Sequence, residues 1–131
     1  MQVKISAITK INENDKCTYY FIQKEYKIVL PIEYKNTKNI YEDTYIRTLN
    51  ALNVKIERIS IYLYLNNKYY AYLRIKNNNQ SYDINTSIAN ALNILDKVPD
   101  TKVYADINVL KYQGIKITKE LIEKSLMSGD I

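Results

Sequence analysis

The side chains able to do chemistry in this chain form a short set. Its 131 residues include no histidine, one cysteine and two glycines. Without histidine the commonest general base near neutral pH and the commonest zinc ligand are missing. Cys17 alone supports neither a zinc site nor a disulfide, and Ser-His and Cys-His nucleophile pairs cannot be assembled. Two glycines cannot make GxGxxG or GxxxxGK[ST], so those phosphate-cradling loops are excluded and no nucleotide cofactor is expected. Catalysis would fall to carboxylates, with Mg²⁺ or Mn²⁺ as the ions that oxygen ligands hold, or to lysine and tyrosine.

Tyrosine is the most conspicuous of these. ISIYLYLNNKYYAYLRI, Ile59 to Ile75, places five tyrosines within eleven residues around an Asn-Asn-Lys corner. A two-residue turn at Asn66-Asn67 would set Ile61 opposite Tyr72 and Leu63 opposite Tyr70. A three-residue turn that includes Lys68 pairs Ile59 with Ile75, Ile61 with Leu73 and Leu63 with Ala71. The second register makes one face consistently aliphatic, and burial is expected to select it. The other face then carries Arg58, Ser60, Tyr62 and Tyr64 beside Tyr70, Tyr72 and Arg74, with Lys68 at the tip. Such a face suits contact with another protomer, or stacking of single-stranded bases with the cations on the phosphates. Tyrosine abundance adds nothing by itself, because Tyr, Asn, Lys and Ile share AT-rich codons.

Elements must position these residues. QVKISAI alternates like a half-buried strand through Val3, Ile5 and Ala7. CTYYFIQ and YKIVLPI are β-branched and aromatic runs separated by a Lys24-Glu25 corner, and Pro31 places the third strand near its end or at an edge. From Tyr41 the period becomes helical through Tyr45, Ile46, Leu49 and Leu52, with Glu42 and Asp43 complementing the dipole of the first turn. After the hairpin, SYDI reads as a short strand. Asn85 or Thr86 then caps a helix bearing Ile88, Ala91, Leu92 and Leu95, which Pro99 stops. TKVYADI is a strand and NVLKYQ a helical turn closed by Gly114 in the C′ role. Thr118 caps a final helix through Leu126, and residues 127–131 form a frayed tail. The expectation is one α+β domain over 1–126, with two antiparallel β-meanders and helices packed on the sheet.

Charge and hydropathy bound the setting. The net charge is +5, and residues 1–80 hold the basic excess, with thirteen basic and seven acidic side chains against six and seven in 81–131. A basic face could meet phosphate backbones, or simply be a solvated lysine-rich surface. No apolar run approaches the ~20 residues of a membrane span. MQVKISAITKI has no signal-peptide core, so a cytoplasmic setting and no membrane partner are expected.

The order and wording of these pieces resemble the bifunctional nuclease family, DUF151. IVLPI (Ile28 to Ile32) looks like its strand ending in Leu-Pro-Ile. LNALNVKIERISI (Leu49 to Ile61) is similar to its helix end and following strand, and LNNKYYAYLRI (Leu65 to Ile75) to its hairpin. SYDINTSIANAL (Ser81 to Leu92) parallels its strand-Asp-x-Arg-Pro-Ser-Asp-Ala helix entry, and KVYADINVLKYQGI its closing strand and helix. Asn85-Thr86 stands where the family has Arg-Pro, Ile88 where it has an acid, and Glu42-Asp43 where it has His-Asp. A helix usual after Ile32 is missing. The chain reads as a divergent or reduced member.

The resemblance implies self-association into dimers or larger assemblies and DNase or RNase activity. Phosphodiester cleavage would need Mg²⁺ or Mn²⁺ held by convergent carboxylates. Asp83, at the strand–helix junction, is the first candidate ligand, with Glu42 and Asp43 second. Arg47 or Arg74 would neutralise the phosphate, and Ser87 would bind a phosphate oxygen with helix N–H groups. The alternative for Asp83 and Ser87 is local capping of the helix.

Overall fold

Alternation of apolar and polar residues becomes two β-sheets with helices between them. The computed structural model describes residues 1–14, 16–35 and 40–119, the side chains of 40–42 excepted. Chain order is β1 (Gln2–Lys4), β2 (Ala7–Glu13), β3 (Lys16–Gln23), β4 (Ile28–Lys35), α1 (Ile40–Ala51), β5 (Lys55–Leu65), β6 (Lys68–Asn77), β7 (Gln80–Ser87), α2 (Ile88–Lys97), β8 (Lys102–Asp106), α3 (Ile107–Gln113) and β9 (Ile115–Lys116). The five-stranded sheet runs β1-β8-β5-β6-β7, and the four-stranded sheet β2-β3-β4-β9. The class is α+β.

The expected first strand is two strands. Ile5 N–H bonds to Val103 O at 2.9 Å, whereas Ser6 N–H bonds to Ile22 O at 2.8 Å, so the chain leaves one sheet for the other between them. Local alternation is blind to that switch because both sheets bury the same face type. Buried Gln23 spans the junction: its Nε2 donates to Lys4 O and its Oε1 accepts from Tyr26 N–H. Beside Pro31, β4 pairs with β3 alone, since β9 reaches only Ile28 and Val29. The missing N–H there costs no ladder bond.

The core lies between the sheets. One wall is Ile59, Ile61, Ala71, Leu73, Val103 and Ala105, the other Tyr19, Phe21, Leu30 and Ile32. Helix α2 buries Ala91, Leu92, Asn93, Ile94 and Leu95 in succession, a pattern possible only for a helix with packing on several sides. It touches β6 and β7 of one sheet and β4 of the other, while α3 bridges β4 to β5 and β8. Among the described residues no helix is long and apolar enough to cross a membrane. The final helix through Leu126 and the tail 127–131 lie outside the described residues beyond Lys119.

Three local expectations need correction. The hairpin turn is two residues, Asn66-Asn67, both at positive φ, with Leu65 opposite Lys68. A bulge at Tyr62 then restores aliphatic pairing, Ile61 with Ala71 and Ile59 with Leu73. A tight turn and a buried stripe are both satisfied because one extra residue absorbs the mismatch. Secondly, β7 continues past SYDI to Ser87, and Ser87 rather than Asn85 or Thr86 caps α2. Thirdly, Gly114 has φ −79°, ψ 161°. A Cβ there would meet Ile28 Cγ2 at 2.2 Å and Leu110 O at 2.4 Å, so close approach, not a left-handed cap, requires glycine.

Candidate functional site on the open face of the five-stranded sheet

Because Ile59, Ile61, Ala71, Leu73, Val103 and Ala105 face the core, their sequence neighbours project from the opposite face. Cross-strand register arranges these neighbours in rows. Lys102, Arg58, Arg74 and Asp83 lie side by side across β8, β5, β6 and β7. The next row is Lys4, Tyr104, Ser60, Tyr72 and Asn85. Beyond it come Tyr62, Leu63, Tyr70 and Ser87.

Tyr62 is the hub of the aromatic part. Its ring centroid is 5.7 Å from that of Tyr72 and 6.4 Å from that of Tyr70, and its hydroxyl donates to Asn85 Oδ1 at 3.3 Å. Lys68 Nζ stands 5.6 Å from the Tyr70 centroid. Arg58 Cζ lies 4.5 Å above Tyr104, and Arg74 Cζ 5.9 Å from Tyr72. Tyr64 is not part of this face. The bulge reverses the alternation, and Tyr64 packs on Tyr69, 4.6 Å away on the core side. Leu63, expected inward, is exposed opposite Tyr70 for the same reason. Lys4, Lys102 and Tyr104 join the face although no sequence signal pairs β8 with β5.

The two described candidate carboxylates, Asp83 and Asp43, each pair with a different cation. Asp83 sits within β7, four residues before the helix cap, and Arg74 holds it with two hydrogen bonds, Nε to Oδ1 at 2.7 Å and a terminal nitrogen to Oδ2 at 3.1 Å. That bonding, followed by the charges of Arg74 and Arg58, holds its carboxyl below the ordinary range. Asp43 is on the helical side of the sheet, ion-paired with Lys97 of α2. This hydrogen bond is the main reason its pKa is also lowered, with Arg47 a lesser one. Arg47 is exposed one turn along α1. The Glu42 side chain lies outside the described residues. Ser87 Oγ accepts from Asn90 N–H at 3.1 Å, the capping role. Among the described residues no three His, Cys, Asp or Glu side chains group to hold a metal. With Asp83 committed to Arg74 and Asp43 to Lys97, the described carboxylates do not fit a Mg²⁺ or Mn²⁺ site as arranged.

A third cluster escaped sequence reading. Asp96, in the last turn of α2, accepts hydrogen bonds from Lys10 Nζ, Tyr19 OH and Tyr34 OH. The two rings stack at 5.5 Å with Lys10 beside both. Burial first, then the Asp96 carboxylate, pushes both phenols well above the ordinary tyrosine value. A recess of about 320 Å³ opens here between Ile8, Leu95 and Pro99. With every donor aimed at Asp96, the cluster fastens α2 to the four-stranded sheet. It contacts none of the tyrosine face.

No protein-family model matches this chain, and no curated protein does.

Proposed function

We propose that this protein binds single-stranded nucleic acid on the open face of the five-stranded sheet. The observation that carries the reading is Arg58, placed directly opposite Arg74 on one neighbour strand and Lys102 on the other. Like charges directly opposite destabilise a sheet, and Asp83 at the end of the row pairs with Arg74 alone, which leaves the row with a basic excess. A polyanion offsets that excess. Lys4, Lys55, Arg58, Lys68, Arg74, Lys76 and Lys102 project on this side against Asp83 and Asp106 by register, and against Glu57, which accepts from Ser81 there. Two copies meeting through it would oppose like potentials, which disfavours the self-contact expected of the tyrosines. Bases on Tyr70, Tyr72 and Tyr62 would each contribute ~1–3 kcal/mol by stacking.

The test is fluorescence anisotropy with a labelled single-stranded oligonucleotide and its duplex across a salt series. Single strands should bind more tightly, affinity should fall steeply with salt, and Tyr72→Ala should weaken binding roughly tenfold. Equal binding of duplex, or none of either strand form, would sink the reading. Cleavage with Mg²⁺ or Mn²⁺, through Asp83, Glu42, Asp43, Ser87 and Arg47, rests on the family resemblance alone. The same oligonucleotides incubated with Mn²⁺ or with EDTA decide between binding and hydrolysis.

Self-association has separate support in β7. This eight-residue edge strand is exposed almost throughout and contains no proline and no lysine, and its pairing with β6 is regular. An edge without those protections is a template for a second copy. Light scattering should then find a dimer that Asn85→Pro, which removes an N–H from the free edge while sparing the bonds to β6, converts to monomer; a wild-type monomer at micromolar concentration would refute it.

A further inference from the structure

We infer that Arg58, Ser60 and Lys102 form a phosphate subsite within the open face, filled by one backbone phosphodiester of the bound strand, and that Asp83 occupies Arg74 in its place when the face is empty. The inference rests on the single-strand reading above and adds where the backbone lies.

Two polar atoms point to it. Ser60 is wholly buried, on the face away from the core, and its Oγ has no hydrogen-bond partner; Arg58 Nε is likewise buried without an acceptor. Both are donors that folding has desolvated and left unsatisfied, which is costly unless an acceptor arrives. They stand on adjacent rows of β5, Arg58 between Lys102 on β8 and Arg74 on β6, and Ser60 between Tyr104 and Tyr72. The Arg58 guanidinium is already oriented by its stack on Tyr104, and it makes no ion pair among the described residues. A tetrahedral oxyanion offers acceptors in several directions at once, as a planar guanidinium and a hydroxyl require. A base edge carries donors as well as acceptors and satisfies two cations and a hydroxyl less well.

Arg74 ends the same row with a different partner. Asp83, opposite it on β7, takes Nε and one terminal nitrogen. The carboxylate therefore competes with an incoming phosphate for the same guanidinium. Removing its charge should favour the ligand. A phosphate on the Lys102–Arg58–Arg74 row leaves its base above Tyr72 and Tyr62 on the rows beside it. The nucleic acid thus runs across the strands of the sheet, not along them.

The experiment measures the affinity of a labelled twelve-nucleotide oligo-dT for the full chain, and its salt dependence, in four proteins. Relative to wild type, Arg58→Gln should weaken binding roughly tenfold, the loss of one charge-assisted hydrogen bond. It should also reduce the slope of log K against log salt by about 0.7, the value for one phosphate on a single strand. Ser60→Ala should weaken binding several-fold with the slope unchanged. It removes an unsatisfied hydroxyl, so an undiminished melting temperature is expected and rules out unfolding as the cause. Asp83→Asn should tighten binding several-fold. If wild type binds and Tyr72→Ala weakens it, yet Arg58→Gln leaves affinity and slope unchanged, the subsite is wrong and the single-strand reading stands. If wild type binds no oligonucleotide, the single-strand reading itself has failed. Inorganic phosphate bound by wild type as tightly as the oligonucleotide would overturn the backbone as the ligand.

Discussion

Asp96 illustrates what one residue can hold. Its carboxylate accepts from an ammonium and two phenols contributed by β2, β3 and β4, so a single side chain fastens α2 to three strands. Losing one donor and losing the common acceptor have different costs. Tyr34→Phe removes one hydrogen bond and is expected to cost about 1–2 kcal/mol. Asp96→Ala leaves the Lys10 ammonium, three-quarters buried, without a counter-charge, and should cost about 3 kcal/mol or more. Urea denaturation of both variants checks the order; equal losses would mean that Lys10 is not held by Asp96. Asp83 stands in contrast. Its side chain is nearly half exposed, so water screens its pair with Arg74 and little of its value is stability.

At the scale of elements, the hairpin and α3 show how position assigns a residue its task. Asn66 and Asn67 have φ of 54° and 61°, the backbone of a type I′ turn, which asparagine tolerates and β-branched residues do not. Asn66→Val should destabilise the protein by about 1–2 kcal/mol, read from thermal melts. The bulge at Tyr62 makes the prediction specific, because a longer turn would accept valine. Gly114 is constrained by space: its added Cβ would strike Leu110 O of the backbone and Ile28. Gly114→Ala is therefore expected to cost about 1–3 kcal/mol through overpacking. A neutral outcome in denaturant titration would show that α3 can slide away from β4.

For the whole molecule, the buried phenols tie stability to alkaline pH. Tyr19 and Tyr34 bind their protons more tightly folded than unfolded, where the value is 10.0. Their contribution is complete below pH 10 and is lost as pH rises above it, toward their higher folded values. Stability should decline above pH 10, and more gently in Tyr34→Phe. Chemical denaturation at pH 9, 10 and 11 provides the check, and parallel slopes for the two proteins would refute it. The acid side has the opposite sign. Asp43 and Asp83 have lowered folded values, so their pairs persist above about 3.8 and weaken as pH falls below it. The acid contribution is small because both groups are exposed.

Composition alone determined which chemistry this chain lacks, since a residue type that is absent is absent from every fold. Short-range periodicity determined most element types and the inward side of β6 and of β5 as far as Ile61, because alternation is a property of the local backbone. Both stop where contacts join distant segments. The pairing of β8 with β5 carries Lys102 to Arg58, and nothing near either residue encodes it. The same holds for the Arg74 clamp on Asp83 and for the gathering of three donors on Asp96. Tertiary structure decided these because a side chain's partner depends on which strands become neighbours, and burial of the whole core chooses that arrangement.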